Sequence, residues 1–340
     1  MRLPAIVLLA LLAPVAACAD LSSRQKVVDL TRLDVLNTVD KRYTHCIAPS
    51  GTAFAVFDTN VVRLLDARDG RQLQMLAGHV GMIHDAGWSR DGSLIATSGY
   101  DETVRVWETA TGRQVLSVRP LPSFACSVAF SPDGRLLAAG SSDDGQLKII
   151  DIASGRIRGI QTPDSTLYAL EFTPEGRYLI VNHTILNRGD TSLRVFRVTD
   201  WTEIKCGIHG TATSFALSRD GKLFAYSTPA GSVSVMDTAT WSETRSIVAH
   251  PFGASSLAFH PQGRFLASSG RDGAVRLWDA LKGTLVHTLP IKPEVDSRLV
   301  FGADEESLVV ATADATVKFY GRREAPIGPA RLPAGAPSEK

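Results

Sequence analysis

The sequence predicts an all-β protein, a seven-bladed β-propeller of four-stranded antiparallel blades whose ring is closed by an N-terminal strand in the last blade. Three observations predict it. A five-residue strand motif returns seven times, a glycine-bearing turn precedes most copies, and a lone strand ahead of the first copy supplies what the last copy lacks.

The motif is an alternating apolar strand that ends in an aromatic or large apolar residue, usually with an acid next. It reads VRLLD at 62–66, VRVWE at 104–108, LKIID at 147–151 and LRVFR at 193–197, then VSVMD at 233–237, VRLWD at 275–279 and VKFYG at 317–321. Successive copies start 42, 43, 46, 40, 42 and 42 residues apart, a period that marks a repeat architecture. Ahead of the motif two strands flank a tight turn: Arg90-Asp91-Gly92, Pro132-Asp133-Gly134, Pro174-Glu175-Gly176, Arg219-Asp220-Gly221 and Pro261-Gln262-Gly263. Proline presets φ at the first turn position and glycine accepts positive φ, so these triplets are hairpin turns by mechanism. The first copy keeps a weaker form at Pro49-Ser50-Gly51, and the last has lost it at 303–307. A fourth strand follows the motif, as in GRQVL at 112–116, and four antiparallel strands per period make one propeller blade.

The ends agree with this count. The seventh copy has three strands, while RQKVV at 24–28 parallels RQVL at 113–116 and reads as a fourth. Set at the outer edge of the last blade, it closes the ring without a covalent staple. The propeller then spans 24–321, and the Pro- and Ala-rich segment 322–340 reads as a disordered, solvated tail.

Residues 1–19 read as a signal peptide. Arg2 supplies the positive start, and the apolar stretch 5–17 is too short to cross a bilayer, which takes about 20 residues. Val15-Ala16-Ala17-Cys18 resembles the bacterial lipobox, in which the cysteine thiolate takes up a diacylglycerol group and becomes the new N-terminus; Cys18 is the expected lipidation site. Cleavage after Ala17-Cys18-Ala19, an A-x-A site, releases a soluble periplasmic protein instead. An exported protein is expected either way. The lipidated form points to the outer membrane, because Ala19 stands where an inner-membrane retention aspartate would sit.

Composition narrows the function classes. With 44% hydrophobic and 21% charged residues the chain is that of a globular protein. Lys and Arg number 36 against 35 Asp and Glu, and loss of Arg2 with the leader brings them level, so no net field draws in nucleic acid or an anionic membrane. Cys18, Cys46, Cys126 and Cys206 form no C-x-x-C pair. His45, His84, His183 and His287 show no ligand spacing, so neither a metal nor a cofactor is expected. Asn182-His183-Thr184 has the form of a glycosylation sequon and reads as an accident.

Across 24–320 the chain resembles the WD-repeat family, most closely where VRVWE and VRLWD carry the tryptophan. The resemblance implies a buried hydrogen-bond chain of histidine, Ser/Thr, aspartate and tryptophan. Its matches are His79, Thr97, Asp101 and Trp107 in one repeat and His250, Ser268, Asp272 and Trp278 in another. His79 to Trp88 and His250 to Phe259 are both nine residues, so the alignment is consistent. A His–Ser–Asp set also has the composition of a hydrolase triad, but here the hydroxyl sits within a strand, lacks a nucleophile elbow and leads to an indole. Gly78-His79 keeps the family's Gly–His pair and Ala249-His250 has lost its glycine. The other repeats offer Thr38, Leu121, Pro163, Ile208 and Lys292 in place of histidine and are expected to rely on apolar packing alone. Asp58, Asp144 and Asp314 keep the turn position by spacing, and His209, one place off register, reads as exposed.

The resemblance also implies a binding face, formed by the loops between blades and those between second and third strands. Register with the turn glycines puts Tyr43, Met82, His84, Phe124 and Tyr168 there, with Phe252 in the loop before another blade. Aromatic and Met side chains at such a rim are typical anchors for a protein partner. The fourth repeat inserts residues over 182–191, where Arg188 and Asp190 are placed to meet a charged partner. The function expected is a non-catalytic, monomeric scaffold binding other proteins in the bacterial cell envelope, with membrane contact only through the lipid anchor. The alternatives are a propeller enzyme of the lactonase or quinone-dependent dehydrogenase kind, or a small-ligand or glycan binder. The first needs clustered carboxylates or cofactor-stacking tryptophans, whereas Trp201 and Trp241 fall after third strands, towards the periphery.

Overall fold

The computed structural model describes residues 28–29, 46–49, 53–66, 71–142, 144–162, 165–185, 191–204, 206, 208, 211–291, 297–301, 308–312 and 316–320. Among them every regular element is a strand, and no helix is long and apolar enough to cross a membrane. The leader at 1–19 with Cys18, the residues Tyr43, Arg188, Asp190 and Asp314, and the tail at 322–340 lie outside the described residues.

The strands form four-stranded antiparallel sheets in chain order, an arrangement consistent with a β-propeller. Strand β1 (Val28–Asp29) stands apart from the strands that follow it. Sheet 1 holds β2 (Cys46–Ile47), β3 (Ala53–Asp58), β4 (Val61–Asp66) and β5 (Gln72–Ala77). Sheet 2 holds β6 (Ile83–Trp88), β7 (Leu94–Gly99), β8 (Val104–Glu108) and β9 (Gln114–Val118). Sheet 3 holds β10 (Ala125–Phe130), β11 (Leu136–Ser141), β12 (Gln146–Asp151) and β13 (Ile157–Gln161). Sheet 4 holds β14 (Ser165–Phe172), β15 (Tyr178–Ile185), β16 (Thr191–Arg197) and β17 (Glu203–Ile204). Sheet 5 holds β18 (Ser214–Leu217), β19 (Leu223–Ser227), β20 (Ser232–Asp237) and β21 (Ser242–Val248). Sheet 6 holds β22 (Ala254–Phe259), β23 (Phe265–Gly270), β24 (Ala274–Asp279) and β25 (Thr284–Pro290). The last strands, β26 (Ser297–Phe301), β27 (Leu308–Thr312) and β28 (Thr316–Tyr320), form sheet 7 with β1 as its outer edge, Val28 opposite Val317 and Asp29 opposite Thr316.

Apolar residues cover both faces of sheets 2 to 6, because each of these lies between two others. In β8, Val104 and Val106 face sheet 3 while Trp107 faces sheet 1. The core is therefore a series of seams. Leu64 and Ile95 mark the first, Val106 and Leu137 the second, Leu147 and Leu179 the third. Ile180 and Phe224 mark the fourth, Val235 and Leu266 the fifth, Val275 and Val310 the sixth.

Turn chemistry acts as its residues dictate. Gly92, Gly134, Gly176, Gly221 and Gly263 hold φ between 71 and 74°, the left-handed region that glycine takes without a Cβ clash. Arg90, in the turn of sheet 2, donates from Nη1 to the Pro174 carbonyl in the turn of sheet 4 at 3.0 Å. A bond between sheets that are not neighbours means that these turns converge towards a common axis.

Two details differ from the sequence expectations. The extra residues of the fourth repeat mostly lengthen a hairpin, since 182–185 continue β15 and β16 begins at Thr191. The innermost strands also carry an extra residue, at His84, Cys126, Tyr168 and Ser255, where the pairing with the next strand skips one position. A bulge of this kind re-aims a side chain and tightens the twist. No sequence pattern announces it.

Removing residues 1–30 deletes β1 and leaves β28 as an unpaired edge. Against a chain starting at residue 24, this truncation is expected to melt at least about 2 °C lower in a thermal scan, the shift that roughly 1 kcal/mol produces in a domain of this size. Equal melting would show that the pairing contributes nothing.

Candidate functional site

Both hydrogen-bond sets inferred from the sequence are drawn together. In sheet 2, Trp107 Nε1–H donates to Thr97 Oγ1 at 2.9 Å, and Thr97 Oγ1 lies 2.8 Å from His79 Nε2. His79 Nδ1 in turn lies 3.0 Å from both Asp101 oxygens. An indole only donates and a carboxylate only accepts, so one direction satisfies every member: the hydroxyl donates to Nε2, and Nδ1–H donates to Asp101. Sheet 6 repeats this with Trp278 on Ser268 at 2.9 Å, Ser268 on His250 Nε2 at 2.9 Å, and His250 Nδ1 on Asp272 at 2.9 Å. Each histidine has both nitrogens occupied and is buried. Neither is presented to a substrate.

The structure adds members that the sequence reading missed. Asp101 also accepts from Val80 N–H at 3.0 Å and Thr103 Oγ1–H at 2.8 Å. Arg105 Nε donates to Thr103, and at the same repeat position Arg276 Nη1 donates to Asp272 at 2.6 Å. Glycine is forced beside each imidazole. A Cβ on Gly270 would lie 2.4 Å from His250 Nδ1, and one on Gly99 would lie 3.2 Å from His79 Nδ1 and 2.9 Å from the Met82 carbonyl. The signal was present in sequence, as S-G-x-D at 98–101 and 269–272 with Arg four residues after the acid.

Sheets 1 and 3, which lack the histidine, do not rely on apolar packing alone. Arg63 Nη2 donates to Asp58 at 3.1 Å in sheet 1. In sheet 3, Ser141 Oγ donates to Asp144, which also accepts from Gln146 N–H at 3.2 Å. In sheets 1 and 3 the turn aspartate and its partners persist where the histidine has gone.

Burial dominates the histidine titrations. It lowers His79, His250 and His84 from the ordinary 6.5, and takes His183 to about 4 with the Arg194 charge adding to it. For His79 and His250 the neighbouring aspartates act in the opposite sense without overcoming it. Burial would raise Asp101, but the Val80 amide, the Thr103 hydroxyl and His79 outweigh it and hold the carboxyl at about 2. Burial also keeps the Cys46 and Cys206 thiols protonated, and both are free thiols.

Above these networks lies an aromatic cluster. Tyr100 and Phe124 stack with centroids 4.3 Å apart and planes 13° apart. His84 packs on both rings, at 5.9 and 5.7 Å. Its Nδ1–H donates to the Cys126 carbonyl at 2.8 Å, which fixes the ring across the seam between sheets 2 and 3. His84 and Phe124 were sequence candidates, and Tyr100 was not. Tyr100 is 44% exposed, and Val80 beside it is 87% exposed. Met82 and Tyr168 are half-buried, and Phe252 is 73% exposed. Asn182 is buried in β15, so the sequon presents no amide at the surface. Trp241 is buried at φ +52°, packing edge-on against Tyr178 at 5.4 Å, and Trp201 meets Phe172 edge-on at 6.4 Å. Both stand between sheets. Among the described residues no three His, Cys, Asp or Glu side chains are grouped to hold a metal ion.

Comparison with known proteins agrees with this anatomy. Residues 70–108, 118–151 and 241–279 match the WD40 repeat (WD domain, G-beta repeat). The chain is 27% identical over 270 residues to Jouberin of Rattus norvegicus, covering 72% of this chain and 25% of that protein. It is 31% identical over 120 residues to an uncharacterized WD repeat-containing protein of Synechocystis, covering 35% of this chain and 33% of that protein. With THO complex subunit 3 of Arabidopsis thaliana the identity is 22% over 207 residues, covering 59% and 64%. The chain thus spans less than two thirds of the length of each of these relatives.

Two outcomes follow from the networks. Ser268→Ala leaves the Trp278 indole N–H and one His250 nitrogen unpaired in a buried place, and urea unfolding is expected to show a loss of about 1–3 kcal/mol. The pH dependence has a definite sign. Neutral buried imidazoles stabilise the fold fully above 6.5, and this is lost as pH falls through their lowered folded-state values. The unfolding midpoint should therefore drop from about pH 7 to about pH 5, and drop less in His250→Gln. Parallel profiles for wild type and His250→Gln over that range contradict the assignment.

Proposed function

We propose that the chain is a non-catalytic docking scaffold: one closed ring of seven blades that holds other proteins on the face carrying Tyr100, Phe124, His84 and Phe252. The observation that carries this is the aromatic stack. Tyr100 and Phe124 are braced from below by His84 and its bond to the next sheet, yet Tyr100 stays open to solvent. Rigid, half-exposed aromatic side chains lose little entropy on binding and are over-represented among residues that dominate association energies. The residues that resemble a catalytic set are spent inside sheets 2 and 6, where their hydrogen-bonding capacity is used up.

Ring closure rests on two supports. Six successive seams are filled, and β1 completes the sheet built by the last three strands. A seventh seam, between sheets 7 and 1, is what the proposal adds. The similarity to THO complex subunit 3, by name a component of an assembly, supports a scaffold role. The proposed location is the bacterial cell envelope, from the leader-like residues 1–19 and the lipobox-like 15–18. Mass spectrometry of the mature N-terminus tests that part, with an acylated Cys18 as the expected result and an unprocessed Met1 as the contrary one.

The docking claim is tested by comparing the full chain with its Tyr100→Ala, Phe124→Ala double variant in crosslinked capture from an envelope extract. The variant is expected to lose the captured proteins at least about tenfold, the effect of roughly 1.4 kcal/mol. Equal capture by both would remove the aromatic stack from the binding face. Capture of nothing by either, with retention on immobilised glycans, would favour the ligand-binding alternative.

A further inference from the structure

The seam between sheets 4 and 5 differs from the others in one buried group. Leu170 and Phe172 of β14 face sheet 3, so Glu171 between them faces sheet 5. Its pairing partner Ile180 sits in the cluster that joins sheet 4 to Ala212, Leu217 and Phe224 of sheet 5. At the same place in the repeat the first strands of sheets 2, 3, 5 and 6 have Gly87, Ala129, Ala216 and Ala258, paired with Ala96, Ala138, Ala225 and Ala267. Space is short there. A Cβ on Gly87 would lie 3.2 Å from the Val128 carbonyl of the next sheet.

Glu171 is only 7% exposed, and burial alone pushes its carboxyl well above the usual carboxylate range. The same seam holds two further polar atoms without partners among the described residues, Asn182 Oδ1 and Trp241 Nε1. Asn182 lies on the same face of β15 as Ile180, diagonal to Glu171. In other seams several polar groups are bonded across the gap. His84 reaches the Cys126 carbonyl at 2.8 Å, Asp85 accepts from Val128 N–H at 2.9 Å, and Thr213 Oγ1 reaches the Ala254 carbonyl at 3.0 Å. Among the described residues the titratable groups at the seam are Tyr178 and the turn residue Glu175, packed on Gly221, from sheet 4, Cys206 from the segment after β17, and Tyr226 from sheet 5, with Arg177 over the outer face of Tyr178 at 5.6 Å.

We propose that the seam between sheets 4 and 5 is a pH-sensitive hinge of the ring, closed while Glu171 is protonated and loosened when it ionises. A neutral acid fits among apolar neighbours, whereas a carboxylate there has to draw water in or part the sheets. The sign is opposite to that of the histidine networks. A raised carboxyl stabilises the fold fully below 4.5 and loses that contribution as pH rises through its folded-state value.

The test compares the full chain with Glu171→Gln, and with Glu171→Ala as the residue other sheets use, by hydrogen exchange and urea unfolding between about pH 5 and pH 9, the span in which buried carboxyls titrate. At alkaline pH the wild type should exchange faster than Glu171→Gln at the same pH in residues 165–172 and 214–217. The excess should approach about tenfold for each pH unit above the titration, while residues 94–99 and 125–130 match between the two proteins. Parallel pH profiles for wild type and Glu171→Gln, in both exchange and unfolding midpoint, overturn the proposal. So does an excess spread evenly over all sheets. Glu171→Ala checks that the glutamine result comes from lost charge, since it too should be insensitive to alkaline pH whatever its absolute stability.

Discussion

A sheet buried on both faces needs a neighbour on each side, and this requirement shapes the rest of the molecule. Val104 and Val106 turn to one neighbour and Trp107 to the other from within a single five-residue strand. A row of such sheets would expose an apolar face at each end. The proposed ring leaves no such end, and the pairing of β1 with β28 is the contact that supports it. The hydrophobic effect supplies the drive because it follows area and has no direction. Direction has to come from elsewhere.

It comes from polar contacts that fix how each sheet sits. Within sheets 2 and 6 the Trp–hydroxyl–His–Asp chain ties the third strand through the second to the loop entering the sheet. Between sheets, His84 and Asp85 set the approach of sheet 3, and Thr213 sets that of sheet 6. Such bonds add modestly to net stability but are costly to leave unmade, so they select one geometry among many that bury similar area. The same bonds support function. His84 is at once the bulge residue of β6, a clasp between two sheets and the floor of the Tyr100–Phe124 stack.

What was legible in the sequence was what repeats. The period, the turn glycines and the nine-residue spacing from histidine to aromatic each recur, so the strand content, the hairpins and both polar chains could be placed before any coordinates. Arg105, Arg276, Gly99 and Gly270 also recur, but their roles depend on how close a side chain comes, and spacing does not carry distance. The bulges at His84, Cys126, Tyr168 and Ser255 depend on register between strands, which is settled by the opposite strand and not by the bulged one. Tyr100 escaped notice because it follows a glycine in a loop that only folding brings beside Phe124. Glu171 stood in plain view as an acid where sheets 2, 3, 5 and 6 have alanine or glycine, and only its burial makes that difference matter.

Closure of the ring is the claim on which the others stand, and a covalent link reports on it directly. Val28 and Val317 are opposite one another in β1 and β28, within the Cα spacing that a disulfide spans. With Val28→Cys and Val317→Cys introduced and the native cysteines replaced, air oxidation should give a monomer carrying a 28–317 disulfide, identified by peptide mass mapping, that melts higher oxidised than reduced. Recovery of only free thiols or intermolecular dimers would mean that the two ends of the chain do not meet.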